Sequence, residues 1–112
     1  MYTSSGAAFT GEPQRPAYAI SKSGLHALVR HVASRWGKEG IRANAVVSGF
    51  VLTEKARQLT NADFQQHWLN LARSPRLGEP DDIAAAVAML FSDDGAWING
   101  QAICVDGGTV LH

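Results

Sequence analysis

Two side chains near the amino end of the chain are spaced so that they could act together. Tyr18 and Lys22 are four residues apart in the stretch YAISKSG. Residues four apart in a helix lie on the same face, one turn from each other. A positive charge beside a phenol favours its ionised form, so this pair could pass a proton to or from a substrate oxygen. The alternative is a packed tyrosine next to an exposed lysine, and the spacing alone does not exclude it.

A serine upstream of the pair supplies a third polar group. Ser5 lies thirteen residues before Tyr18, at the end of a predicted strand over residues 2–5. Enzymes with parallel sheets build their sites at the carboxyl ends of strands. A hydroxyl there can donate a hydrogen bond to a carbonyl oxygen and stabilise the charge that develops on it. The predicted catalytic group is therefore Ser5, Tyr18 and Lys22.

The segment that carries Tyr18 and Lys22 has a helical pattern from Ala17 to about Trp36. Its apolar residues recur every three or four positions and form one stripe. These residues are Leu25, Leu28, Val29, Val32, Ala33 and Trp36. Residues 6–16 contain two glycines and two prolines, so they predict a loop between the first strand and this helix.

The rest of the chain alternates between apolar runs and helical segments. The runs Ile41–Val47 and Gln101–Val105 predict two more buried parallel strands. Residues 53–75 predict one or two short helices. Pro80, followed by two acids, predicts the start of another helix, whose segment Ile83–Phe91 should be largely buried. Strands that alternate with helices predict an α/β fold with a parallel sheet and helices on its faces.

Composition excludes several classes of partner. The chain has 112 residues, with ten basic and ten acidic side chains and no basic cluster, so we expect neither nucleic acid nor a membrane as partner. No apolar stretch approaches the roughly 20 residues that span a bilayer. Cys104 is the single cysteine, so no intramolecular disulfide can form, which is compatible with a cytoplasmic location. The histidines lack ligand spacing, so no metal site is expected.

The order of these segments resembles the classical short-chain dehydrogenase/reductase family. The stretch TSSGAAFTG is similar to the family's strand-end serine, and YAISK to its Tyr-x-x-x-Lys sequence. IRANAVVSGFVLTE and RLGEPDDIAAAVAMLFSDDGAWINGQAICVDGG are similar to its later strands, loops and helix. The resemblance implies the C-terminal half of a Rossmann-type doubly wound parallel sheet, with about three strands and flanking helices. Residues 1–112 would then be a single partial domain, with the N-terminal half missing.

The resemblance also implies roles for the predicted residues. Tyr18 would be the general acid/base, and Ser5 would polarise the substrate carbonyl. Lys22 would support Tyr18, and both residues would contact the nicotinamide and ribose of the cofactor, NAD or NADP. The loop after the second strand would contact the nicotinamide through Gly49, Val51 and Thr53. The helical segment after this loop would be a mobile lid over the substrate.

The activity implied is hydride transfer between NAD(P)(H) and a small alcohol or carbonyl substrate, in an enzyme that is a homodimer or homotetramer when full length. Two departures matter. The family usually has Pro-Gly where this chain has Ser48-Gly49, so that loop should be less rigid. The family's glycine-rich turn for the cofactor pyrophosphate lies in the N-terminal half, so the isolated chain is expected to be inactive. The alternatives are an inactive or interaction-only remnant and a sugar-nucleotide epimerase or dehydratase of the extended branch.

Overall fold

The computed structural model describes residues 1–111, and His112, the last position of the predicted domain, lies outside the described residues. Three strands form one parallel sheet: β1 (Tyr2–Ser5), β2 (Ala45–Ser48) and β3 (Ala102–Val105). The α-helices are α1 (Ala7–Thr10), α2 (Pro16–Trp36), α3 (Glu54–Leu59), α4 (Ala62–Leu71) and α5 (Pro80–Phe91). Single turns of 3₁₀-helix follow α2 at Gly37–Glu39 and α5 at Asp93–Gly95.

The sheet has the order β1–β2–β3, with every pair parallel. Its register places Ser5 beside Ser48, and Ser48 beside Val105, so the three strands end at the same edge. Within the described residues the outer edge of β1 pairs with no strand. The predicted α/β fold with three parallel strands and flanking helices is confirmed.

Helix α2 forms where the apolar stripe predicts it, starting one residue earlier. Pro16 occupies its first turn, where a missing N–H costs nothing, and disfavours helical geometry at the preceding residue. The buried side chains of α2 are Ala19, His26 and Val29. Val29 packs with Ala43 and Ala45 in the core, so α2 is held against the sheet.

Two predicted boundaries differ from the structure. Residues 6–16 include the single turn α1, closed by Gly11 at φ 78°, rather than loop alone. The second strand starts at Ala45 and not at Ile41. Side-chain amides replace sheet pairing in the segment before it: Asn99 Oδ1 accepts from Ala43 N, and Asn44 Oδ1 accepts from Gln101 N.

The predicted short helices after the second strand are present as α3 and α4, and α5 begins at Pro80 as predicted. The prediction that Ile83–Phe91 is largely buried is wrong. Of the α5 residues only Leu90 is fully buried, and Phe91 is 68% exposed. Within the described residues α5 packs on β2, β3 and the following 3₁₀ turn, which cover one side of the helix.

Candidate active site

The carboxyl ends of the strands form one edge, and the segments that follow them surround a cavity of about 460 Å³. Ser5 and Tyr18 both line this cavity, as do Ser48 and Gly49. We call it the main cavity. Parallel pairing forces these strand ends together, because β1 and β2 are in register at Ser5 and Ser48.

Ser5 is half-buried at the last position of β1. Its Oγ accepts a hydrogen bond from the backbone N–H of Ala7 at 3.4 Å. The hydroxyl proton remains available to an acceptor in the main cavity, because the hydroxyl can donate while it accepts. This geometry suits a group that polarises a carbonyl oxygen.

Tyr18 and Lys22 lie one turn apart at the start of α2, as their spacing predicts. Tyr18 is 36% exposed, and Lys22 Nζ lies 5.7 Å from the centroid of its ring. Nζ donates a hydrogen bond to the carbonyl oxygen of Thr3 at 2.8 Å. Lys22 therefore ties α2 to β1, and its ammonium has further donors for another partner. Its side chain does not line the main cavity.

Two charged residues beside Tyr18 were not predicted as part of the site. The guanidinium carbon of Arg15 lies 4.9 Å from the centroid of the Tyr18 ring, and both residues line the main cavity. Arg15 Nη2 pairs with Glu12 Oε2 at 3.0 Å. The hydrogen bond from Arg15 lowers the pKa of the Glu12 carboxyl, and the backbone N–H of Gln14 acts in the same direction. The sequence signal was a basic residue three positions before the tyrosine, immediately before the helix that carries it.

The loop after β2 approaches the loop after β3 so closely that position 49 must be glycine. A Cβ on Gly49 would lie 2.8 Å from both Cα and Cβ of Asp106. The Asp106 carboxylate accepts from Gly108 N at 3.0 Å and Val110 N at 2.8 Å, which fixes the second loop. Steric closeness, and not an unusual φ, therefore explains the glycine in Ser48-Gly49.

The other predicted cofactor contacts lie outside the main cavity. Val51 pairs with Gly78 in an isolated bridge and lines a neighbouring cavity of about 290 Å³. Thr53 is exposed at the start of α3, where its Oγ1 accepts from Ala56 N at 3.1 Å. Gly49 alone of these three residues lines the main cavity.

A buried polar pair holds α2 against β1. Ser4 Oγ and His26 Nε2 are 2.8 Å apart, and both residues are buried. Ser4 Oγ also donates to the carbonyl oxygen of Lys22 at 3.3 Å. Adjacent residues of a strand face opposite sides, so Ser4 turns to the helix while Ser5 turns to the cavity. Sequence reasoning missed this pair, although alternation along β1 was the available signal.

An aromatic wall closes the cavity on the side of α4. The rings of Phe50 and Trp68 stack at 5.7 Å with an interplanar angle of 15°, and Phe64 contacts Phe50 edge-on at 5.5 Å. Phe50 and Trp68 line both cavities. The wall gives the main cavity an apolar surface opposite the polar groups of β1 and α2.

The remaining reactive side chains do not add a second centre. Burial raises the pKa of the Cys104 thiol, and the nearby Asp106 carboxylate raises it further, so the thiol form is favoured. Among the described residues no group of three or more histidines, cysteines or acids could hold a metal ion. Asp82 Oδ2 accepts from Glu79 N at 2.8 Å, which makes it a residue of the α5 start.

Comparison with known proteins places nearly all of the chain in one family. The family model described as Enoyl-(Acyl carrier protein) reductase matches residues 1–110. A probable short-chain type dehydrogenase/reductase of Bradyrhizobium diazoefficiens is 40% identical over 103 residues, which cover 92% of this chain and 37% of that protein. The 7alpha-hydroxysteroid dehydrogenase of Bacteroides fragilis is also 40% identical over 103 residues, or 92% of this chain and 40% of that protein.

Solved structures show the same likeness. A 7 alpha-hydroxysteroid dehydrogenase complexed with NADH and 7-oxo glycochenodeoxycholic acid superposes with a TM-score of 0.87 and 34% identity, over 98% of this chain and 43% of that one. A 4-hydroxyisoleucine dehydrogenase complexed with NADH and succinate gives 0.85 and 30%, over 96% and 44%. The chain thus spans about two fifths of the length of the relatives it matches. No helix in the described part is long and apolar enough to cross a membrane.

Proposed function

We propose that the chain carries the catalytic residues for hydride transfer between NAD(P)(H) and an alcohol or carbonyl substrate. The premise is that the chain belongs to the short-chain dehydrogenase/reductase family. The observation that supports this proposal most directly is the meeting of Ser5 and Tyr18 in one cavity at the carboxyl edge of the sheet. Lys22 lies one turn further along the helix that carries Tyr18.

Tyr18 is the proposed general acid and base. In the reductive direction its phenol gives a proton to the substrate oxygen as hydride reaches the carbonyl carbon, and in the oxidative direction it takes that proton back. Ser5 donates a hydrogen bond to the same oxygen, so that charge developing there is stabilised. Both residues line the main cavity, and one substrate oxygen is proposed to contact both there.

Lys22 is the proposed support for Tyr18. Its ammonium donates to the Thr3 carbonyl at 2.8 Å and lies 5.7 Å from the centroid of the phenol ring. An ammonium has three N–H donors, and one is used by Thr3. The others are proposed to bind the ribose hydroxyls of the cofactor.

A nicotinamide cofactor, NAD or NADP, would supply or accept the hydride. The residues present fit its nicotinamide end in part. Gly49 keeps the loop free of side-chain bulk beside the cavity that Ser5 and Tyr18 line. Val51 and Thr53 remain predicted contacts, although they lie outside this cavity. The relatives include dehydrogenases solved with NADH, which supports a nicotinamide cofactor in general.

The cavity favours a small molecule with an apolar part. Ser5 and Tyr18 line it on the β1–α2 side, and the aromatic wall lies on the α4 side. A carbonyl compound could therefore place its oxygen at Ser5 and Tyr18 and its hydrocarbon part against Phe50 and Trp68. Homo-oligomerisation and a cytoplasmic location stay predictions.

A second proposal concerns the chain by itself. It spans about two fifths of its relatives' length, and its sequence contains no Gly-x-Gly of the kind that turns around a pyrophosphate. We therefore expect the 112-residue chain alone to give no saturable heat of binding with NADH or NADPH in calorimetry. Micromolar affinity would contradict this and would make the chain a complete dinucleotide-binding unit.

The catalytic proposal is tested by Tyr18→Phe in the longest protein that the gene encodes. Removing the hydroxyl removes the proton donor, so turnover should fall at least about 100-fold while cofactor affinity changes little. Initial rates against a panel of alcohols and ketones, with fluorescence titration of NADH and NADPH, measure both. Turnover within twofold of the unsubstituted protein would show that Tyr18 is not the acid/base.

A further inference from the structure

The guanidinium of Arg15 lies over the ring of the proposed acid/base. Its central carbon is 4.9 Å from the Tyr18 ring centroid, closer than Lys22 Nζ at 5.7 Å. Arg15 is three residues before Tyr18 and immediately precedes α2. The phenol ring thus has two cations near it, of which the resemblance to the family accounts for one.

The position of Arg15 is fixed by its neighbours. Pro16 disfavours helical geometry at residue 15, so the helix begins after Arg15. The Arg15 side chain can therefore fold back over the first turn of α2. Glu12 Oε2 accepts from Arg15 Nη2 at 3.0 Å, and Glu12 Oε1 accepts from Gln14 N at 3.4 Å. These contacts keep the guanidinium over the ring, with 64% of the Arg15 side chain exposed.

The other charges around Tyr18 are already engaged. Lys22 is bonded to the carbonyl of Thr3, and the Glu12 carboxylate is bonded to Arg15. Asp106, the remaining charged residue that lines the main cavity, has both carboxylate oxygens bonded to backbone N–H groups. Glu12 weakens the field of Arg15, since its Oε2 pairs with the guanidinium at 3.0 Å, while the guanidinium carbon lies 4.9 Å from the ring centroid.

The same arrangement occurs at the far end of the helix without a cavity. Arg35 lies 5.4 Å from a ring centroid of Trp36 and pairs with Glu39 at 3.6 Å. Neither Arg35 nor Trp36 lines either of the two cavities described above. Arginine stacked on an aromatic ring and paired with an acid is therefore an ordinary surface contact here. At Arg15 it differs because the ring belongs to Tyr18.

We infer that Arg15 is a positioning residue for the Tyr18 phenol, which it orients by stacking and whose anionic form it stabilises by its charge. This inference rests on the proposed function. When Tyr18 gives its proton to a substrate oxygen, the negative charge left on the phenolate is shared between Arg15 and Lys22. Solvent would return this proton before the next turnover, and the nicotinamide cofactor would supply the hydride.

The test is the pair Arg15→Met and Arg15→Lys in the longest protein that the gene encodes. In Arg15→Met kcat should fall about tenfold with KM nearly unchanged, because the lost charge acts on the reacting group and not on binding. The pH at which the rate is half-maximal should rise in the oxidative direction. Arg15→Lys keeps the positive charge but lacks the planar guanidinium. It should therefore restore the pH profile and recover part of kcat.

Arg35→Met is the matched control, since it removes the same stacking and ion pair elsewhere on α2. Its kcat and pH profile should match those of the unsubstituted protein. An Arg15→Met protein with kcat within twofold of the unsubstituted one, or with lower kcat and an unshifted pH profile, would overturn the inference. If Arg15→Met gives one of these two results while Tyr18→Phe abolishes turnover in the same assays, only the role of Arg15 is overturned. If Tyr18→Phe stays active, the proposed function itself is wrong.

Discussion

The two regions that flank the main cavity begin their helices in opposite ways. In the β1–α2 region, α2 starts without a side-chain cap and without an acid in its first turn. In the β2–β3 region, α5 starts with Asp81 and Asp82 in its first turn, and Asp82 accepts from the backbone N–H of Glu79. Both helices have proline in the first turn, so the difference lies in the polar side chains.

This difference separates groups that stabilise the fold from groups that are proposed to act in catalysis. Two acids of the β2–β3 region are bonded: Asp82 to Arg76 and a backbone N–H, and Asp106 to two backbone N–H groups. In the β1–α2 region the phenol of Tyr18 is 36% exposed beside a cavity, and its neighbours Arg15 and Lys22 are cations. Helix α5 has acids in its first turn, which stabilise a helix start, whereas α2 lacks them beside the cavity where a substrate is proposed to bind.

The largest expected effect contrasts the two regions directly. Tyr18→Phe should reduce turnover at least about 100-fold and leave the urea midpoint of unfolding unchanged, because the lost hydroxyl contacts the cavity. Asp82→Ala should do the reverse, since it removes the cap of α5 without touching the cavity that Tyr18 lines. Initial rates and urea unfolding of both variants measure this. Equal loss of stability in the two variants would contradict the contrast.

The close fit of the β2–β3 region predicts the next effect. Gly49→Ala should lower the free energy of unfolding by about 2 kcal/mol, because its Cβ would lie 2.8 Å from Asp106. Gly24→Ala is the control: its Cβ meets nothing within 4 Å on α2, so a gain of up to about 1 kcal/mol is expected. Urea unfolding of the chain measures both. A harmless Gly49→Ala would show that the loops after β2 and β3 can separate freely.

A smaller effect follows from giving α2 the cap that it lacks. Arg15→Ser places a preferred N-cap residue before Pro16, so the free energy of unfolding should rise by about 0.5–1 kcal/mol after loss of the exposed pair with Glu12. Turnover should fall, since the cation over Tyr18 is gone. Thermal unfolding and initial rates on one preparation measure the opposite signs. Gains in both stability and turnover would mean that the absence of a side-chain cap at the start of α2 does not contribute to turnover.

The smallest effect concerns the ion pair at the start of α5. The hydrogen bond from Arg76 holds the pKa of the Asp82 carboxyl well below its usual range, and the backbone N–H of Glu79 adds to this. A depressed folded-state pKa stabilises the protein above the unfolded value of about 3.9, and the contribution is lost as pH falls below it. Arg76→Met should therefore lower the urea midpoint slightly at pH 7 and by less at pH 3. An equal difference at both values would contradict the assignment.

The sequence was most informative where a pattern repeats or a motif is dense. The apolar stripe of α2 predicted that helix within one residue, and the spacing of Tyr18 and Lys22 placed them one turn apart. Strand β2 was predicted too long, because nothing in the segment IRANAVV reveals that the amides of Asn44 and Asn99 take over backbone pairing. Such contacts join residues more than fifty positions apart and depend on the finished fold.

The sequence predicted the chemical groups of the candidate site but not all of the residues that surround them. Ser5 and Tyr18 meet in one cavity, but the charge at Arg15 and the ring of Phe50 were not predicted to line it. Periodicity and spacing report neighbours on one element, whereas these contacts arise from loops and helices that pack together. The exposed side of α5 was missed because an apolar pattern shows which residues resist water and not what covers them.

The two adjacent serines of β1 have different surroundings, and this difference helps to fix the register of the strand. Ser4 bonds to His26 in the interior, and Ser5 faces the main cavity. A slip of one residue would exchange the two sides of the strand and turn Ser4 to the cavity. The two hydroxyls are chemically alike, so the slipped strand would still have a serine hydroxyl facing the cavity. That hydroxyl would be displaced along the strand relative to Tyr18. The bond to His26 opposes that error along an edge that no other described strand covers.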